Sequence, residues 1–233
     1  MLVLVTRPRE QAAATSALLV AMGHEALIDP VLEIRRLPLP RRMSLADVAA
    51  IAITSANAVP ALAGMPAGLP VFAVGAATAA AAGAAGWNEV HAAAGDGADL
   101  ARLMRQSLPS TAGVVLHLAG HNVREGLEAG LVEAGYRYRS AVVYEAMPVP
   151  TMPPEVAAAL AALRVGAVLL YSPRSAELWT QRIEAAQLGH TLGGTLAACL
   201  SRAVAAPLAR LPFRLVRIAE SRDQNALLRC LEG

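Results

Sequence analysis

Six short polar segments of this chain could do chemistry, and all are of one kind. Each joins the end of an apolar run to the start of a helical one: Thr6–Arg7, Thr54–Asn57, Gly75–Thr78, Gly120–Asn122, Ser172–Pro173 and Ser201–Arg202. The first backbone N–H groups of a helix lack partners within it and point outward, together with the positive end of the helix dipole. Glycine or a short hydroxyl residue leaves those donors accessible, so such ends suit anions. One Ser or Thr in that place is commonly a helix cap. Six ends in one chain imply a ligand with several negative groups spread over a wide area.

Other chemistries lack their residues. The spacing of Gly75, Gly83 and Gly86 is not G-x-G-x-x-G, which disfavours a dinucleotide cofactor. The five histidines, His24, His91, His117, His121 and His190, form no H-x-x-x-H or HExxH pattern, so no metal site is expected. Of these His117 lies on a strand and His121 at a strand end. Ser55 and Ser172 have no G-x-S-x-G context for a hydrolase triad. Asp96 and Asp99 read as the cap of a helix start rather than as an acid–base pair. All 20 basic residues are arginine, which excludes a Schiff-base lysine and the P-loop. Arginine suits carboxylate and phosphate partners.

The elements that must position these ends are written twice, once in residues 1–112 and again in 113–233. An apolar run at Leu2–Thr6 leads through Arg7 and Pro8 to a helix that stops at Gly23; Val114–Leu118 leads through a turn to a helix over Val123–Ala134 that stops at Gly135. Ile51–Val59 then matches Val168–Ala176, Val71–Ala79 matches Leu196–Val204, and Val90–Leu100 matches Val216–Leu227. Continuous apolar strands alternating with helices define an α/β chain with parallel sheets covered on both faces. Two flavodoxin-like or Rossmann-like lobes are expected, their strand ends lining one cleft. Residues 31–40 and 140–150 are extended, bounded by proline and not followed at once by a helix, so they read as connecting strands between lobes.

Composition sets the outer bounds. The 233 residues are 55% hydrophobic and 16% charged, as in an ordered globular protein. A net charge of +2, scattered arginines and 3% aromatic residues argue against nucleic-acid binding. No apolar run reaches the roughly 18–20 uncharged residues of a membrane span. The N-terminal apolar stretch reads as a first strand rather than a signal peptide, which points to the cytoplasm. Cys199 and Cys230 offer neither a disulfide framework nor a metal spacing.

Six motifs in order resemble the uroporphyrinogen-III synthase family. They are V-T-R-P-x-x-Q-A (Val5–Ala12), I-T-S-x-N-A-V (Ile53–Val59), A-V-G-x-x-T-A (Ala73–Ala79), L-x-G-x-x-x-R-E (Leu118–Glu125), V-x-Y (Val142–Tyr144) and Y-S-P (Tyr171–Pro173). The chain departs from the family at Leu200–Ala203, where a G-P-T-T or similar turn is usual. The resemblance implies an enzyme, a cofactor-free cyclising lyase of tetrapyrrole (heme) biosynthesis. It would close the carboxylate-rich linear tetrapyrrole hydroxymethylbilane with inversion of the last ring, through a spiro intermediate, with loss of water. Catalysis would be mainly by positioning. The resemblance also implies that each lobe borrows across the repeat: residues 1–33 with 149–233 in one lobe, and 40–139 in the other.

By the same resemblance Tyr144 is a general acid toward the departing hydroxyl. The repeat adds to this, because Leu32 stands opposite Tyr144 when the copies are aligned. Substrate binding is expected at Arg7, Thr54, Ser55, Gly75, Thr78, Gly120, Asn122, Arg124, Ser172 and Ser201. A monomer with a small-molecule substrate is expected, with neither nucleic acid nor membrane as partner. Two other readings fit the pattern less well. One is a non-catalytic two-lobe protein that clamps a polyanion. The other is a sugar-nucleotide transferase, for which the diphosphate-binding glycine loop is missing.

Overall fold

A computed structural model describes residues 1–121 and 126–232. In chain order its elements are β1 (Leu2–Val5), α1 (Arg9–Ala21), β2 (Glu25–Ile28), β3 (Leu32–Arg36), β4 (Val48–Ile53), β5 (Val71–Val74), α2 (Ala76–Ala84), β6 (Val90–Ala93), α3 (Gly97–Ser107), β7 (Val114–Gly120), α4 (Leu127–Val132) and β8 (Arg137–Pro148). They continue with α5 (Pro154–Ala161), β9 (Val165–Leu170), α6 (Pro173–Ala185), β10 (Leu196–Cys199), α7 (Arg202–Ala205), β11 (Leu215–Ile218) and α8 (Gln224–Arg229).

The strands form two sheets. One has the order β11-β10-β9-β1-β2, the other β3-β8-β7-β4-β5-β6. Neighbours in the first sheet are parallel throughout, as are β8-β7-β4-β5-β6 in the second. The chain divides into two compact units, Met1–Glu33 with Met147–Gly233, and Ile34–Ala146. Both crossings between them fall within strands, one in β3 and one in β8. The first sheet combines β1 and β2 from the first copy with β9, β10 and β11 from the second. The second sheet does the reverse, joining β7 and β8 to β4, β5 and β6. Each core sheet therefore repeats one strand order with the copies exchanged.

The runs of apolar residues follow from burial on both faces. In β9, Val168 and Leu170 join one buried cluster while Ala167 and Leu169 join another. In β4, Ile51 and Ile53 likewise face one cluster, and Ala50 and Ala52 face the other. Strand alternation sends successive side chains to opposite faces, so a strand buried on both must be apolar at every position.

Two expectations about helices change. Ser55 begins a 3₁₀ segment, Ala56–Gly64, rather than an α-helix, and Pro60 lies inside it. Proline has no N–H for the α-helical bond back to residue 56. The helix expected over Val123–Ala134 is shorter, with α4 spanning Leu127–Val132; residues 122–125 lie outside the described residues. Asp96 and Asp99 do form a capping box on α3, Asp96 accepting from the Asp99 backbone N–H at 3.3 Å while Asp99 accepts from that of Asp96 at 3.1 Å.

The first unit also holds a buried ion pair. Arg182 donates to Asp29 and, at 3.1 Å, to the Pro30 carbonyl. Trp179 Nε1 donates to the other Asp29 carboxylate oxygen at 2.9 Å. Burial pushes the Asp29 carboxyl up, against the pull of the Arg182 guanidinium.

Candidate active site

In the second unit, β7, β4 and β5 are neighbours, so their carboxyl ends bring Gly120, Thr54–Ser55 and Gly75 to one edge of the sheet. Ser55 Oγ accepts from the Asn57 backbone N–H at 3.2 Å. Gly75 has φ +80°, a left-handed conformation that disfavours any side chain, and leads directly into α2. Its N–H donates to the Ala93 carbonyl, while the first N–H groups of α2 lack partners within the helix. Thr78 lies in that first turn with its side chain buried.

Tyr144 joins this edge through an irregularity. Along β7 and β8 the register runs Leu118↔Ala141 and Ala119↔Val142, then shifts so that Gly120 pairs with Tyr144. The extra residue is a β-bulge, which re-aims the side chains beyond it. Val143 and Tyr144, adjacent in sequence, consequently both pack on one cluster with Ile53 and Leu118. The phenol crosses Gly120: a Cβ at position 120 would stand 2.5 Å from Tyr144 Cζ and 2.7 Å from its hydroxyl. Glycine is needed here for the ring to lie where it does. The backbone closes the arrangement, with His121 N–H donating to the Tyr144 carbonyl at 3.0 Å. Leu32, the counterpart of Tyr144 in the first copy, packs partly against a core cluster of the first sheet.

The first unit brings β10, β9 and β1 side by side, and with them Ser201, Ser172 and Arg7. Ser172 forms a capping box with Ser175 on α6, its Oγ accepting from the Ser175 backbone N–H at 3.1 Å. Ser201 precedes the short α7, and its side chain makes no capping bond. Arg7 is held by neutral groups: it donates to Gln11 Oε1 at 3.0 and 3.2 Å and to Gln224 Oε1 at 3.0 Å, and its guanidinium lies 4.6 Å from the Tyr171 ring centre. Amides and a phenol ring fix the guanidinium without neutralising its charge. Asn122 and Arg124 fall outside the described residues.

Two residues of the second unit, His117 and Tyr138, carry no role in the sequence reading. His117, wholly buried on β7, places Nε2 3.2 Å from Thr54 Oγ1 and Nδ1 2.7 Å from the Tyr138 hydroxyl. Burial pushes this imidazole down to about 4. Its one sequence signal is a histidine inside an otherwise apolar strand.

Fold and site define a class: a doubled parallel α/β protein whose strand ends carry glycines and hydroxyl side chains at helix starts, with a phenol at one edge. The family model of uroporphyrinogen-III synthase HemD matches residues 13–229. The chain belongs to the uroporphyrinogen-III synthase family, whose members are cyclising lyases of heme biosynthesis. Among solved structures, uroporphyrinogen-III synthetase from Helicobacter pylori is similar with a TM-score of 0.62 at 17% identity, over 98% of this chain and 97% of that one. A mutant uroporphyrinogen III synthase from the extremely thermophilic bacterium Thermus thermophilus is similar with a TM-score of 0.57 at 22% identity, over 100% of this chain and 99% of that one. At these identities the likeness is one of fold. No curated protein matches the chain in sequence. Among the described residues no helix is long and apolar enough to cross a membrane.

Proposed function

We propose that the chain closes hydroxymethylbilane by holding its carboxylates on strand-end amides and hydroxyls while the Tyr144 phenol protonates the departing hydroxyl. The bound groups would be met by Thr54, Ser55, Gly75, Thr78 and Gly120 in one unit and by Arg7, Ser172 and Ser201 in the other. Asn122 and Arg124 take the same role from the motif in which they stand. The phenol proton passes to the hydroxymethyl oxygen, the C–O bond breaks and water leaves. The electron-poor carbon so formed is attacked by the substituted carbon of the last ring, giving the spiro intermediate. The enzyme's larger contribution is to hold that carbon in place, since the free substrate can close at the wrong one.

The observation that carries this reading is the bulge that lays Tyr144 across Gly120, at the sheet edge that also carries Thr54, Ser55 and Gly75. The test is to add freshly made hydroxymethylbilane and separate the isomers by chromatography. A type III fraction above the blank is expected, and a fraction equal to the blank would overturn the reading. Tyr144→Phe is expected to slow turnover toward the low end of the roughly 10²–10⁴-fold range of general acid catalysis, because this hydroxyl departs readily. An unchanged rate would leave Tyr144 a packing residue. In the same reading the protein works in the cytoplasm as a monomer, and sedimentation at the mass of one chain is the expected result.

A further inference from the structure

Thr54, His117 and Tyr138 come from three neighbouring strands and form one hydrogen-bonded chain. Thr54 follows β4, His117 lies within β7 and Tyr138 near the start of β8. The separations are 3.2 Å from Thr54 Oγ1 to His117 Nε2 and 2.7 Å from His117 Nδ1 to the Tyr138 hydroxyl. The ring between them has no exposed surface. With its ionisation depressed to about 4 by burial, His117 is neutral at neutral pH. It then carries one N–H and one bare nitrogen, and the chain of bonds can run in only two directions.

In the first, Tyr138 donates to Nδ1 and Nε2–H donates to Thr54 Oγ1. The threonine proton is then left over for a group outside. In the second, Thr54 donates inward to Nε2 and turns only lone pairs outward, while Nδ1–H donates to Tyr138. Two arguments select the first. A phenol is a stronger acid than an aliphatic alcohol and so the better donor to the imidazole. An anion at the carboxyl end of β4 also needs a donor and is repelled by lone pairs.

We propose that His117 is a positioning residue for substrate binding, holding the Thr54 hydroxyl as an outward-facing donor to a substrate carboxylate. This rests on the reading of Thr54 as a binding group. Sequence gives the three residues no local relation, and the strand order brings them together.

The test has a spectroscopic arm and a kinetic arm, both on the full-length protein. Imidazole ¹⁵N NMR at neutral pH is expected to show His117 protonated at Nε2 with Nδ1 bare; protonation at Nδ1 overturns the inference. With hydroxymethylbilane as substrate, Thr54→Val is expected to raise KM with little change in kcat. His117→Leu is expected to raise KM roughly tenfold, the scale of one charge-assisted hydrogen bond. His117→Gln, whose side-chain amide can donate near the former Nε2, is expected to recover most of that loss. In a Thr54→Val background His117→Leu should then add nothing, since a residue acting through another is non-additive with it. If His117→Leu costs as much in that background as in the parent protein, His117 acts on packing and the inference fails while Thr54 stands. If Thr54→Val leaves KM unchanged, the binding role of Thr54 falls and this inference with it. Should His117→Leu fail to fold, the tautomer and the His117→Gln kinetics decide.

Discussion

At the scale of single residues, His117 ties stability to pH. An imidazole in the unfolded chain takes up its proton near 6.5, whereas burial holds the folded one at about 4. The folded value lies below the unfolded one. The stability linked to this group is therefore fully present above pH ~6.5 and is lost as pH falls toward 4, by at most about 1.4 kcal/mol per pH unit. Urea denaturation at steps from pH 7 to pH 4 should show that decline, and His117→Gln should flatten it. A slope that is the same in both proteins would assign the loss to other groups. Tyr144 was singled out in the sequence by the family motif in which it stands, and the repeat added to this because the first copy has Leu32 there. His117 was not, because its partners lie on other strands and nothing in Val114–Leu118 points to them. Arg7 was legible as a cation but not in its setting, which depends on Gln224 from the far end of the chain.

At the scale of elements, the decisive feature is the bulge between β7 and β8. Without the shift after Ala119↔Val142, Gly120 would pair with Val143, and strand alternation would send the Tyr144 side chain to the other face. Gly120→Ala tests the arrangement, because a methyl group would enter the space held by the Tyr144 ring. It is expected to slow turnover of hydroxymethylbilane about as much as Tyr144→Phe does. In a Tyr144→Ala background, where the ring is gone, it should add little. A full and additive loss there would mean that Gly120 serves the backbone rather than the phenol. Helix starts were readable from short motifs, as the Ser172 and Asp96 caps show, since a cap needs only residues within one turn. The 3₁₀ character of Ala56–Gly64 was less so: Ser55 announces a helix start, but Pro60 governs which hydrogen bonds can follow it. The bulge had no signal at all, because a register shift is a property of two strands together.

At the scale of the molecule, the exchange of strands between the copies makes a prediction about fragments. Ile34–Ala146 is continuous in sequence and contains β4–β7 whole and β8 as far as Ala146. Expressed alone it is expected to fold with a cooperative thermal transition. Residues 1–112 hold β1 without its neighbour β9 and β4 without its neighbour β7, so that fragment is expected to show none. Circular dichroism melts of the two fragments check this, and a cooperative transition in 1–112 would count against the exchange as the unit of folding. The sequence by itself determined the repeat, the α/β class, the apolar strands buried on both faces, and the polar residues at the strand ends. Those depend on period, composition and turn chemistry, which act over a few residues. Only the tertiary structure decided that the register shifts after Ala119, that Tyr144 crosses Gly120, and that His117 joins Thr54 to Tyr138. An apolar run specifies that it will be buried and on which faces, but its partner is chosen by hydrogen bonds and packing between segments far apart in the chain.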